Sequence, residues 1–156
     1  MAPAFFDLRK GNGGNAKQIA FHRRTDRARR IECDRTAGQS GHDLQPGIDG
    51  SADLRITKAV NSAFYGTPDL KAWLDQHNYT AVTICGIMTN FCCETTARMA
   101  GNLGYDVDFV LDATRTFDHQ GIDGSTIPAD TMYAVTAANL NGEFATVVST
   151  AGVLAR

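Results

Sequence analysis

The sequence predicts an α/β fold built on a mainly parallel sheet, and three observations carry that reading. From about residue 52, strand-like and helix-like segments alternate at the spacing of βαβ units. The strand-like segments are short and mostly apolar, as expected when helices cover both faces of a parallel sheet. The chain has 156 residues, 43% hydrophobic and 21% charged, which suits one domain with a real core. We therefore expect a single domain over residues 1–156.

The elements follow in order. Leu54-Arg-Ile-Thr-Lys58 alternates like a strand, with Leu54, Ile56 and Lys58 on one face. Residues 61–68 read as a loop. A helix is expected over 69–77, with Asp69 as its N-cap and Leu70, Trp73 and Leu74 on one stripe. Residues 80–85 are an apolar strand, followed by a sharp turn at Gly86. The next helix spans 90–102, with a stripe of Cys92, Thr96, Met99, Ala100 and Leu103. Ala97, Gly101 and Gly104 leave it a small-residue side for close packing. Residues 106–111 form a strand, 127–140 a helix with Pro128 in its first turn, and 144–149 the last strand.

The first 50 residues are atypical. They hold nine of the 15 Lys and Arg residues, five of them between Arg23 and Arg30. A weak strand-like run, 2–6, precedes Asp7, and another is expected near 31–33.

Composition excludes several classes of function. A net charge of -2 gives no electrostatic reason to expect nucleic acid or a membrane surface as partner. The first residues lack the order of a signal peptide, and no apolar run approaches the roughly 20 residues that span a bilayer. A cytoplasmic protein with reduced thiols is the expectation, since Cys33, Cys85, Cys92 and Cys93 have no disulfide-framework spacing. The four histidines, His22, His42, His77 and His119, lack zinc-ligand spacing, and the glycines make neither a dinucleotide fingerprint nor a P-loop. No metal and no cofactor are expected.

In an open parallel sheet, sites form beyond the C-terminal ends of the strands. Lys58, the turn from Gly86 to Cys92, and Asp112 all fall at such ends. A thiol in the first turn of a helix sits among unpaired N–H groups and near the positive end of the dipole, a setting that suits a nucleophilic sulfur. Cys92 reads equally as a small buried hydrophobe. Cys93 points about 100° further round the helix and is taken as packing. Cys85, inside its strand, is taken as core. Lys58 is either a surface lysine or a cation that steadies developing negative charge. Asp7 is either a terminal surface residue or a carboxylate that accepts the thiol proton.

Four segments in order resemble the isochorismatase-like cysteine hydrolases. Gly86-Ile-Met-Thr-Asn-Phe-Cys-Cys-Glu-Thr-Thr-Ala97 is similar to the nucleophile motif of that family, and Thr57-Lys58 with Asn61-Ser-Ala-Phe64 and Gly66-Thr67 to its lysine segment. Residues 106–118 and 142–147 resemble the strand and Asp-Ala loop after the nucleophile helix, and the last strand. The resemblance spans about residues 42–154. It implies a six-stranded parallel sheet in a three-layer Rossmann-like domain and a Cys-Asp-Lys triad that hydrolyses a C–N amide bond of a small molecule through a thioester. It implies Cys92 as nucleophile, Lys58 as the triad lysine and Asp7 as the carboxylate. A cis peptide between Ile87 and Met88 and an oxyanion hole from the Met88 and Cys92 N–H groups are implied as well. Phe64, Tyr65, Arg115 and Phe117 are candidate substrate contacts. Family members are commonly homo-oligomers. The Asp-x-His metal motif of nicotinamidases is absent from this sequence.

The N-terminal region departs from the resemblance. Phe5-Phe6-Asp7-Leu8 fits a first strand ending near its carboxylate, yet Asp7 precedes Lys58 by fewer residues than family members usually show. A truncated, rearranged or frame-shifted N-terminal region is the expectation. Two rivals stand beside the hydrolase: a binding or assembly subunit whose triad lost its carboxylate, and a redox pair at Cys92 and Cys93.

Overall fold

The structure is a computed structural model that describes residues 5–10, 17–23 and 53–155, the first two segments by backbone course alone. Its strands and helices follow the chain as β1 (Phe5–Lys10), β2 (Lys17–Arg23), β3 (Leu54–Lys58), α1 (Leu70–Gln76), β4 (Tyr79–Ile87), α2 (Glu94–Asn102), β5 (Asp106–Arg115), β6 (His119–Gln120), β7 (Thr126–Ile127), α3 (Ala129–Leu140), β8 (Thr146–Val148) and α4 (Thr150–Leu154). A short 3-10 turn, Ala63–Tyr65, follows β3, and a wide π-type turn, Thr89–Cys93, leads into α2.

Local chemistry explains the best-placed elements. Asp69 caps α1, its carboxylate accepting the Ala72 N–H at 3.0 Å. Pro128 precedes α3, where its missing N–H costs no helical bond. β4 runs on to Ile87 through Gly86, whose φ of 125° is open to glycine and rarely to other residues.

Among the described residues the main sheet has the order β3-β2-β1-β4-β5-β8. β2 and β3 pair in parallel, as do β4 with β5 and β5 with β8. β1 pairs antiparallel with both of its neighbours. The sheet is thus mainly parallel, as expected, with one reversed strand. The fold is a three-layer α/β Rossmann-like domain. α1, α2 and the end of α3 pack on one face, and α4 lies against β5. Leu54, Ile56, Val82, Ile84, Val107 and Phe109 line that first face, and Leu70, Leu74, Cys93, Ala97, Ala100 and Leu140 close on them.

Three expectations are corrected. The first strand does not end near Asp7 but continues to Lys10, and Asp7 pairs in register with Gln18 on one side and Thr83 on the other. Leu8 carries the alternation past the carboxylate, and strand direction is settled by pairing across the sheet rather than by local sequence. β2 was hidden by the charge around it, since only Ile19-Ala20-Phe21 is apolar between Lys17-Gln18 and His22-Arg23. The expected α2 stripe holds in part: Cys92, Thr96 and Ala100 are buried, whereas Leu103 is exposed and Met99 half-buried, and Cys93 and Ala97 join Ala100 in the core. Within the π-type turn the Cys93 N–H bonds to Met88 C=O, five residues back. The strand expected near 31–33 lies outside the described residues. No described helix is long and apolar enough to cross a membrane.

Candidate active site

Lys58 is the last residue of β3 and is 5% exposed. Its Nζ donates to Val60 C=O at 3.0 Å and Asn61 C=O at 2.9 Å, so the loop after β3 curls around the ammonium. Two backbone carbonyls offset part of the cost of burying that charge. Asn61 turns its side chain the other way. Its Oδ1 faces Cys92 Sγ at 3.7 Å, with the thiol donating. Cys92 is 7% exposed and sits in the π-type turn between β4 and α2. One residue, Asn61, therefore touches both the lysine and the thiol.

A hydroxyl locks the same loop to the helix. Thr96 Oγ1 donates to Cys92 C=O at 2.7 Å and accepts the Ala63 N–H at 3.1 Å. On the other side of the turn, Thr89 Oγ1 donates to Thr114 Oγ1 at 2.9 Å, and Thr114 donates on to Leu111 C=O at 2.8 Å. Both threonines are fully buried. Glu94, at the start of α2, accepts from Arg98 at 2.8 Å and from Thr136 of α3 at 2.8 Å.

The other expected residues divide. Cys93 is 0% exposed in the core, as its packing role requires, and burial pushes its thiol pKa well above the usual range. Cys85 is half-buried and lies outside the core cluster, so the core expectation fails for it. The Ile87–Met88 peptide is cis, and Met88 C=O accepts from the Phe91 and Cys93 N–H groups at 3.2 and 3.1 Å. Phe64 stacks on Tyr105 with 5.9 Å between centroids and packs against the core. Tyr65 and Phe117 are 69% and 60% exposed. Arg115 folds back on its own segment, donating to the carbonyls of Asp112 and Thr114 at 2.9 and 2.6 Å. Asp112 caps the start of α4, accepting from the Thr150 N–H at 2.8 Å and its hydroxyl at 3.0 Å. Asp7 lies four positions before Ile87 in the β1–β4 register.

Sequence reasoning missed Asn61 as part of this site. Asn61 carried a signal, since it lies in the lysine segment three residues after Lys58. Among the described residues, no three His, Cys, Asp or Glu side chains gather closely enough to hold a metal ion.

Residues 15–151 match the isochorismatase domain. The chain belongs to the isochorismatase family. Over 98 residues it is 41% identical to the uncharacterized isochorismatase family protein YrdC of Bacillus subtilis (strain 168), covering 63% of this chain and 52% of that relative. It thus spans about half the length of that relative. A crystal structure from Chromobacterium violaceum ATCC 12472, assigned as a hydrolase of the isochorismatase family, superposes with a TM-score of 0.78. That pair is 33% identical over 88% of this chain and 69% of the other. A cysteine hydrolase from Pseudomonas syringae pv. phaseolicola 1448A superposes with a TM-score of 0.68 at 25% identity, over 73% of this chain and 54% of the other.

Proposed function

We propose that this protein is a cysteine-dependent hydrolase that cleaves a C–N amide bond of a small molecule, without a cofactor. The observation that carries this reading is the Asn61 bridge. Its backbone oxygen holds the buried Lys58 ammonium and its side chain meets the buried Cys92 thiol. Membership of the isochorismatase family and likeness to a cysteine hydrolase support the same chemistry.

In this reading Asp7 takes the Cys92 proton and Sγ attacks the amide carbonyl carbon. The negative charge that develops on the carbonyl oxygen is met by the Met88 and Cys92 N–H groups, with Lys58 beside the site. The C–N bond breaks and the amine leaves with the proton Asp7 had taken. Water then cleaves the thioester and restores the thiol. Tyr65, Arg115 and Phe117 border the same end of the sheet and are the substrate contacts of this reading. Their exposure, together with that of Ile122, supports a homo-oligomer in which these loops are covered.

The antiparallel register of β1 favours a second reading, a binding or assembly subunit impaired in catalysis. Asp7 lies opposite Thr83, about 13 Å along the strand from Ile87 at ~3.3 Å per residue. One experiment weighs both. Hydrolysis of a panel of small amides is measured for wild type, Cys92→Ala and Asp7→Asn. The hydrolase reading expects turnover in wild type, none in Cys92→Ala and a loss of at least about a hundredfold in Asp7→Asn, the lower end of general-base contributions. Equal rates in wild type and Cys92→Ala sink it. Folded wild type with no turnover on any amide favours the impaired subunit.

A further inference from the structure

The turn that carries Cys92 is also gripped from the side away from Lys58. Thr116 Oγ1 donates to Asn90 Oδ1 at 2.5 Å. With its oxygen taken, the Asn90 amide presents its nitrogen to His119 Nε2 at 3.2 Å. An amide nitrogen only donates, so in this arrangement Nε2 accepts. The Phe91 and His119 rings meet edge to face, with centroids 5.3 Å apart and planes at 88°. His119 therefore touches both residues that lead directly into Cys92.

The support behind His119 is itself anchored. His119 pairs with Ile127 across the β6–β7 hairpin. Asp118 beside it accepts the Ala129 N–H at the start of α3 at 2.9 Å. From α3, Tyr133 OH reaches back to Thr114 C=O. The ring thus belongs to a segment fastened to the helix that follows it and is not a side chain on an open loop.

We propose that His119 is a positioning residue for the nucleophile turn: its Nε2 holds Asn90 and fixes the turn from which Cys92 Sγ points at Asn61. The inference rests on reading Cys92 as the nucleophile. His119 acts through Asn90 and Phe91 and need not touch the substrate. What the role requires is an acceptor atom at the Nε2 position. Glutamine supplies one at similar reach, whereas leucine keeps an apolar contact with Phe91 and supplies none.

The test needs no substrate. Alkylation of Cys92 by iodoacetamide is timed in the full chain by fragment mass spectrometry, for wild type, His119→Gln and His119→Leu, with thermal unfolding followed in parallel. The expected result is a rate in His119→Gln within about twofold of wild type and a rate in His119→Leu about tenfold lower, as for one lost buried hydrogen bond of ~1.4 kcal/mol. Leucine as fast as wild type, or glutamine as slow as leucine, overturns the proposal. Loss of the fold in either variant also overturns it, because the role is local. Amide hydrolysis that survives Cys92→Ala sinks the nucleophile reading by itself, and the contrast between glutamine and leucine still decides the role of His119.

Discussion

Thr96 ties three segments together through one hydroxyl. It donates to Cys92 C=O, accepts the Ala63 N–H, and so fixes the loop that carries Asn61 against the helix that follows Cys92. It is almost fully buried. Thr96→Val keeps the shape and deletes both bonds, and it leaves the Ala63 N–H without that partner in a buried site. The expected cost is about 1–3 kcal/mol, the range for orphaning a buried polar group. Urea unfolding with an unchanged slope and a lower midpoint measures it. Thr96→Ser, which keeps the hydroxyl, should lose markedly less. A valine variant as stable as wild type would remove Thr96 from the account of how the site is held. The same residue shows why sequence reading stops short here. Its spacing from Cys92 put it on the right helix face, but its bond to Ala63, 33 residues away, has no local signature.

Helix α2 brings the turn that carries Cys92 to the sheet through its smallest residues. Ala97 and Ala100 are fully buried against the core. At Gly101 a Cβ would come within 2.6 Å of Phe144 C=O and 3.1 Å of Phe144 Cα, both backbone atoms that cannot swing aside. The sequence did signal this close approach, since Gly101 was placed on the small-residue side of the helix. Its partner, the segment before β8, was not legible from spacing. Arg98 adds to the same contact from one turn back, its guanidinium 4.7 Å from the centre of the Phe144 ring. Gly101→Ala must therefore push α2 from the Phe144 segment. The expected cost is about 1–3 kcal/mol, the range for overpacking, although alanine is the better helix former. For a chain of this size that corresponds to a fall of about 2–12 °C in Tm, read by calorimetry. A rise in Tm would mean that the close approach does not exist in solution.

At the scale of the whole molecule, the legible part was what local periodicity controls. β3 was placed residue for residue because Leu54, Ile56 and Lys58 alternate, and the placement of Lys58 and Cys92 beyond strand ends followed from the same kind of reading, although β2 and β1 lie between those two strands. The direction of β1 was not legible, because it depends on which strands flank it, and Asp7 inherits that dependence. Nor was the π-type turn before α2, where the Cys93 N–H bonds to Met88 C=O. The packing of α2 has a consequence for global stability. It holds the Cys93 thiol in the core, where burial raises its pKa in the folded state. In the unfolded chain the thiol ionises near pH ~8.5. A raised folded pKa means that the unfolded state releases a proton the folded state keeps. Stability from this group is therefore complete below about pH 8.5 and falls as pH rises towards the folded value. By pH 9.5 the loss is about 1.4 kcal/mol, one pH unit of linkage. Tyr105 is raised in the same sense by burial and by its bond to Asp75, but its unfolded pKa near 10 keeps its contribution above this window. Cys93→Ala removes the thiol and leaves Cys33, Cys85 and Cys92 in place, so the difference between the two proteins isolates Cys93. Unfolding free energies measured from pH 7.5 to 9.5 should fall more steeply for wild type than for Cys93→Ala, with the gap between them narrowing by about 1.4 kcal/mol across the window. Parallel curves would mean that the thiol is not buried in solution.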